Sequence, residues 1–391
     1  MNMKQSTITV MSIVLALTAI GTLMVYSAGV FAPKDPYVVR KQFIYVAAGL
    51  AAFLFLVRFD YRHFMDPVIF RGIVAVSLFL LLFVLRFGRE VDGGQRWIRL
   101  GFVGFQPSEF AKFALVLLLA VKLTHGREHT QKFFRGFLPP LVITGLFAGL
   151  VVAERDIGIP FMMFITAFVM IFVAGADLRH IAVCAVPVIG LGVAAILAAP
   201  HRLVRMAAFV NPFQDRRDTG WQLIQSLSAF AQGGILGRGA GGSEQKLGYL
   251  PAAHTDFIFP VIGEEFGLWG TCLVVALFVI LTTTMFRIAM GARDLFGSLL
   301  VTGIASLTGF QAAFIIAVTT GLLPTKGLPL PFISYGGTAL LMYLGMAGIV
   351  VNVGLQSIGV APQRRITAPS APPKAPRAPK APPRTPAEAA T

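Results

Sequence analysis

Residues 9–31, TVMSIVLALTAIGTLMVYSAGVF, carry no charge. An apolar run of about 18 residues or more can cross the hydrocarbon core of a bilayer as a helix. Lipid offers the backbone no hydrogen bonds, so a chain that crosses it this way must be helical. Similar runs recur, and ten spans are expected at roughly 8–31, 41–58, 67–87, 107–123, 137–154, 157–175, 179–199, 257–286, 296–323 and 333–358. The chain therefore reads as an all-α polytopic membrane protein. Only 13% of its 391 residues are charged, about half the share of a soluble domain.

The first run is too long for the apolar core of a signal peptide and has no cleavage pattern, so it reads as the first span. Cys184 and Cys272 both fall within spans and are expected to pack as small apolar residues. The net charge of +15 comes from loops and tail. That pattern suits anionic lipid rather than nucleic acid. The Lys and Arg balance puts both termini in the cytoplasm.

With that orientation, residues 200–256 form one large extracytoplasmic loop before helix eight. Within it, 221–232 is expected to be an amphipathic helix on the membrane surface, with Trp221 as an interfacial anchor. Residues 1–361 make up the membrane domain. Residues 362–391 hold nine Pro, six Lys or Arg and one acid, and are expected to be a disordered cytoplasmic tail. There is no phosphate-cradling loop, no metal-spaced Cys/His cluster and no internal repeat.

Charges this sparse stand out. In GYLPAAHTDFIFPVIGEEFG (248–267), Asp256 precedes the eighth span, where it or Thr255 is expected to cap the helix. A carboxylate at the water–lipid boundary can also accept a proton from a hydroxyl. Glu264 and Glu265 lie further in, and acids inside a span are functional candidates. Helical spacing puts Asp256 and Glu264 on one face. The alternative for the two glutamates is a hydrogen-bonded structural pair.

In GGQRWIRLGFVGFQPSEFAKFALV (93–116), Arg96 and Arg99 flank Trp97. They read either as headgroup contacts or as a diphosphate site, since the arginine fork binds phosphate oxygens in pairs. Glu109 and Lys112 have the spacing of an ion pair on one helix face. AERDIG (153–158) sets Asp156 in a short outer turn. The Pro- and Gly-rich GLLPTKGLPLPFISYGG (321–337) reads as a re-entrant turn that walls a groove, with Lys326 as a further cation. Together these groups suit a lipid-borne, anionic, hydroxyl-bearing substrate.

Three stretches, QPSEFAK (106–112), QKLGYLPAAHTDFIFPVIGEEFG (245–267) and GLLPTKGLPLPFISYGG, closely resemble signatures of the SEDS (FtsW/RodA) family of bacterial cell-wall proteins. The resemblance runs from about residue 8 to 358 and is nearer the division branch than the elongation branch. Arg155 departs from it, standing where the family usually has Pro. The resemblance implies a peptidoglycan glycosyltransferase that polymerises lipid II, with Asp256 as the catalytic carboxylate and Glu109 and Lys112 as a substrate-site pair. Lys246, His254 and Ser334, within the same motifs, join Arg96, Arg99 and Lys326 as candidate substrate contacts. Asp156, Glu264 and Glu265 are expected to support the site.

Polyprenyl diphosphate would be the leaving group. A divalent cation, Mg or Mn, can assist its departure, although no ligand set is readable. The implied partners are a class B penicillin-binding transpeptidase and other divisome proteins, at the septum of the bacterial inner membrane. Two rival readings are a flippase for the lipid-linked precursor, with charges lining a path through the bilayer, and a scaffold for the division complex.

Overall fold

The computed structural model describes residues 2–30, 37–91, 94–101, 103–213 and 219–359. The proline-rich segment 362–391 lies outside them. In order, the elements are α1 (Met3–Gly29), α2 (Val38–Arg58), α3 (Pro67–Phe87), β1 (Arg89–Val91), β2 (Gly94–Leu100), β3 (Val103–Phe105), α4 (Pro107–His125), α5 (Leu138–Ala153) and α6 (Gly158–Val173). They continue with α7 (Leu178–Leu197), α8 (Pro200–Val210), α9 (Thr219–Gly233), α10 (Ile258–Met290), α11 (Leu295–Thr319) and α12 (Gly337–Ser357).

Ten of these helices match the ten expected spans. Eight segments are long and apolar enough to cross a membrane unaided, one of them α5 with the turn before it. The other two helices are α6, with 16 residues, and α4, which carries Glu109, Lys112 and Lys122. Both are shielded: α4 is buried along most of its length, and α6 packs against α4, α5 and α11. Helices α11 and α12 form the buried centre, whereas α7 leaves Val183, Val186, Ile189, Leu191 and Leu197 exposed to the lipid side.

Small residues bring α2 and α12 together. A Cβ added at Gly348 would stand 2.7 Å from the Phe53 carbonyl oxygen, and one at Gly49 would stand 2.5 Å from Leu344. Close approach through small residues is how helices associate where lipid removes the hydrophobic driving force.

The ends of the bundle differ. At one end, Met3 of α1 lies against Gly291 after α10, and Thr7 lies against Gly354 of α12. There Asp294 caps α11 by accepting from the Gly297 N–H, while its other oxygen accepts from Tyr61 and Arg62. The first and last described helices thus meet at this end. The opposite end holds β1–β3, α8, α9 and the connections 153–158, 238–257 and 320–336.

Three expectations change here. Between α3 and α4, strands β1, β2 and β3 form a three-stranded antiparallel sheet that the all-α reading did not include, with Arg89 opposite Trp97 and Ile98 opposite Phe105. The loop 200–256 contains α8 as well as the expected amphipathic helix, α9. Residues 255 and 256 do not occupy the N-cap position of helix eight, which falls on Phe257. That helix, α10, begins at Ile258 after Phe257, with no side-chain cap, because the N–H groups of Thr255 and Phe257 both bond to the Ala252 carbonyl.

Candidate active site

The connections at the second end enclose a cavity of about 1630 Å³, larger than the roughly 300–1,000 Å³ of ordinary small-molecule pockets. Among the described residues, eight basic side chains line it and two carboxylates, Glu90 and Asp256. Of the expected site residues, it brings together Arg96, Arg99, Lys246, His254, Asp256 and Lys326. Arg40 and Lys41 at the start of α2, Arg89 of β1 and Arg205 of α8 also line it, and sequence reasoning missed all four. Only their arrival at one end of a folded bundle could have revealed them.

Asp256 is presented by a tight run of turns. Ala252 takes a positive φ of 56°, and its carbonyl gathers the Thr255 and Phe257 N–H groups. Leu250, Ala253 and Phe257 are buried, which fixes the other face of the run. The Tyr335 N–H donates to the His254 carbonyl at 2.9 Å, joining this run to the loop 320–336. The His254 and Tyr335 rings lie 5.8 Å apart.

The loop 320–336 forms the facing wall. Ser334 is buried and accepts from the Leu330 N–H, so it shapes this loop from within and does not line the cavity. The Pro329 carbonyl accepts from Gln311 at 2.7 Å. Gln311 in turn accepts from Lys112 at 2.8 Å and from Tyr343 at 2.7 Å. Lys112 pairs with Glu109 at 2.8 Å, and both are essentially inaccessible. The expected ion pair therefore forms, but behind the cavity wall and not at the cavity surface. It holds the loop from beneath through Gln311.

Glu264 and Glu265 also face away from Asp256. The helical spacing that would align Asp256 with Glu264 does not apply, since Asp256 precedes the helix. Glu264 accepts from the Ser243 hydroxyl and from the N–H groups of Glu244 and Gln245. Glu265 accepts from Lys246 at 2.7 Å and from Ser27 at 2.7 Å. The two acids clamp the segment 238–247 onto α10 and α1. Although Lys246 borders the cavity, its ammonium is committed to Glu265, Ser27 and the Gly241 carbonyl.

Asp156 joins three segments without lining the cavity. Its Oδ2 pairs with Arg96 at 3.2 Å, and its Oδ1 pairs with Lys326 at 3.2 Å and accepts from the Gly158 N–H at 2.8 Å. Burial alone would lift this carboxyl, but Lys326 and then Arg96 outweigh it and hold it below its ordinary value. Lys326 is held below the ordinary lysine value, chiefly by burial and against the attraction of Asp156. Arg155, before Asp156, has φ 64°, a conformation that a proline ring forbids. The departure from the family's usual Pro thus coincides with a left-handed turn.

Glu154 was not singled out in the sequence. It is 1% exposed, and neither of its oxygens has a hydrogen-bond partner among the described residues. Burial, and then the charge of Asp156, pushes it up to about 8, against the pull of Arg96 and the nearby Ser108 hydroxyl.

Among the described residues no three of His, Cys, Asp and Glu gather in a way that would hold a metal ion.

A bundle of helices long and apolar enough to cross a membrane, with a cavity at one end lined by cations and a carboxylate, defines the class. The comparisons narrow the class. The profile of the FtsW/RodA/SpoVE cell cycle proteins matches residues 8–358, and the chain belongs to this family. It is 41% identical over 350 residues to a probable peptidoglycan glycosyltransferase FtsW of Trichlorobacter lovleyi, covering 87% of this chain and 91% of that one. It is 37% identical to stage V sporulation protein E of Bacillus subtilis, covering 87% and 94%. Among solved structures it is similar to a chain of a peptidoglycan synthase complex that coordinates polymerization and crosslinking. The TM-score is 0.75 at 29% identity, covering 90% of this chain and 98% of that one. The rod shape determining protein RodA of Thermus thermophilus gives a TM-score of 0.67 at 27% identity, covering 89% and 96%.

Proposed function

We propose that this chain is a peptidoglycan glycosyltransferase of the division branch, polymerising lipid II into glycan strands with Asp256 as general base. One observation carries the reading: Asp256 opens into a cavity lined by eight basic side chains and, among the described residues, one other carboxylate. The other carboxylate there, Glu90, is largely exposed and lies 3.7 Å from Arg155.

Asp256 takes the proton from the 4-hydroxyl of the acceptor sugar as that oxygen attacks the anomeric carbon of a second, lipid-linked sugar. The bond from that carbon to the diphosphate oxygen breaks, the electron pair leaves with polyprenyl diphosphate, and the anomeric configuration inverts. The proton on Asp256 then passes to water. A glycosidase needs a second carboxyl to protonate its leaving group. A diphosphate leaves as an anion when cations receive it, and Arg96, Arg99 and Lys326 are suited to that. General-base help supplies about 10²–10⁴-fold, and positioning and charge stabilisation supply the rest.

The cavity faces the outer side of the cytoplasmic membrane at the septum, with both termini in the cytoplasm. The nature of the similar synthase complex supports a class B penicillin-binding transpeptidase as partner. The decisive experiment is Asp256→Asn in purified protein supplied with lipid II. Polymerisation is expected to fall at least about 10²-fold with the fold intact, and retained activity overturns the assignment.

A further inference from the structure

Arg96 and Lys326, two of the cations that line the cavity, share Asp156. Glu154, two residues before Asp156, is buried, and among the described residues neither of its oxygens is held by a hydrogen bond of good geometry, although the Ser108 hydroxyl lies near. Arg96 packs where β2 meets the backbone of the Glu154 turn: a Cβ at Gly94 would stand 2.5 Å from Arg96 Nε and 2.8 Å from the Glu154 main-chain carbonyl oxygen, and among the described residues that Nε also has no hydrogen-bond partner. Two anions and two cations therefore share one poorly hydrated corner. With Glu154 ionised the corner is neutral overall. With Glu154 protonated it carries one net positive charge. In the second state Arg96 and Lys326 have charge to spare for a diphosphate, in addition to the other basic side chains of the cavity.

We propose that Glu154 is a positioning residue that must carry a proton for Arg96 and Lys326 to hold the diphosphate of the lipid-linked sugar. This rests on the reading of the cavity as a diphosphate-leaving site, and adds a proton-linked control to it. An ionised Glu154 would also compete with Asp156 for the Arg96 guanidinium. The groups that bear on Glu154 are Arg96 of β2, Ser108 of α4 and Asp156 of its own turn, with Lys326 and, beyond it, Arg205 on the far side of Asp156. Arg155 and Glu90 face solvent as their own pair. The raised value of Glu154, about 8, sets the window in which its proton is lost.

The test is binding of farnesyl diphosphate to the full chain in detergent, measured from pH 6.5 to 9.5. If only the protonated form binds, the apparent Kd scales inversely with its population. The wild type should then weaken about tenfold between pH 7 and pH 9. Glu154→Gln, a neutral isostere, should bind at pH 7 within about threefold of wild type and lose most of the alkaline weakening. Glu154→Met should flatten the curve in the same way if the amide packs poorly. Lys326, held below the ordinary lysine value by burial, is the other titrating group here, so an unchanged midpoint in both variants takes the weakening away from Glu154 and overturns the proposal. Absence of alkaline weakening in the wild type, or no binding at all, overturns it too. Polymerisation of lipid II is scored separately. A wild type that binds as described but makes no glycan would refute the proposed function while leaving this inference standing.

Discussion

The Asp256 carboxylate is packed against the backbone of Gly327: a Cβ added there would stand 2.7 Å from Oδ2. The glycine leaves just enough room for the carboxylate on the opposite wall. Backbone φ at this glycine is not in the left-handed region, so alanine brings no conformational strain. Gly327→Ala should therefore fold normally and push the carboxylate aside. A displacement of about 1 Å at a reacting group can cost about 10²-fold. Polymerisation should fall by about 10–100-fold, while the melting temperature stays within a few degrees of wild type. Full activity in this variant would mean that Asp256 does not need its observed position.

The Glu109–Lys112 pair gives a stability prediction. Removing one partner leaves an uncompensated buried charge and costs about 3–5 kcal/mol, whereas removing both costs much less. Lys112→Met should lower the thermal midpoint sharply, and the double variant with Glu109→Gln should recover most of it. Activity should not recover to the same degree, because the Gln311 link to the Pro329 carbonyl has lost its lysine. Thermal melts and polymerisation assays on the same preparations separate the two effects. Parallel recovery of both would show that the pair supplies stability alone.

Much of this was legible in the chain itself. Uncharged runs fix the helices because lipid leaves the backbone no other solution, and intramembrane charges are rare enough to mark the polar framework. What the sequence could not show was direction. Asp256 and Glu264 have helical spacing, but a backbone turn at Ala252 delays the helix and sends them to different places. Glu109, Ser334 and Glu265 belong to the site motifs, yet each faces inward as a brace. Arg40 and Arg205 lie in unremarkable segments and reach the cavity only through the packing of α2 and α8. Glu154 could pass for a solvated end of a turn until the sheet and α4 cover it.

The Glu264 carboxylate receives a hydroxyl and two backbone N–H groups from residues 243–245. Each buried donor left without a partner costs about 1–3 kcal/mol. Glu264→Ala should loosen 238–257, the segment that leads to Asp256, before it loosens the bundle. Hydrogen–deuterium exchange should rise there, with α11 and α12 unchanged and polymerisation reduced. Glu264→Gln keeps one acceptor oxygen and should fall between the two. Exchange that rises evenly over the whole chain would refute the local role.

Glu154 also predicts how stability changes with pH. Its value rises from an ordinary 4.5 to about 8 in the folded chain. Between those limits the folded chain keeps a proton that the unfolded chain has released, so stability falls as pH rises across that window. The contribution is fully present below about pH 4.5 and gone above about pH 8. A shift of this size corresponds to at most about 5 kcal/mol. Glu154→Gln does not titrate and escapes this loss. Its melting temperature relative to wild type should therefore climb steadily from pH 5 to pH 8 and level off above. A difference that stays constant over that range would mean that Glu154 is already ionised in the folded protein.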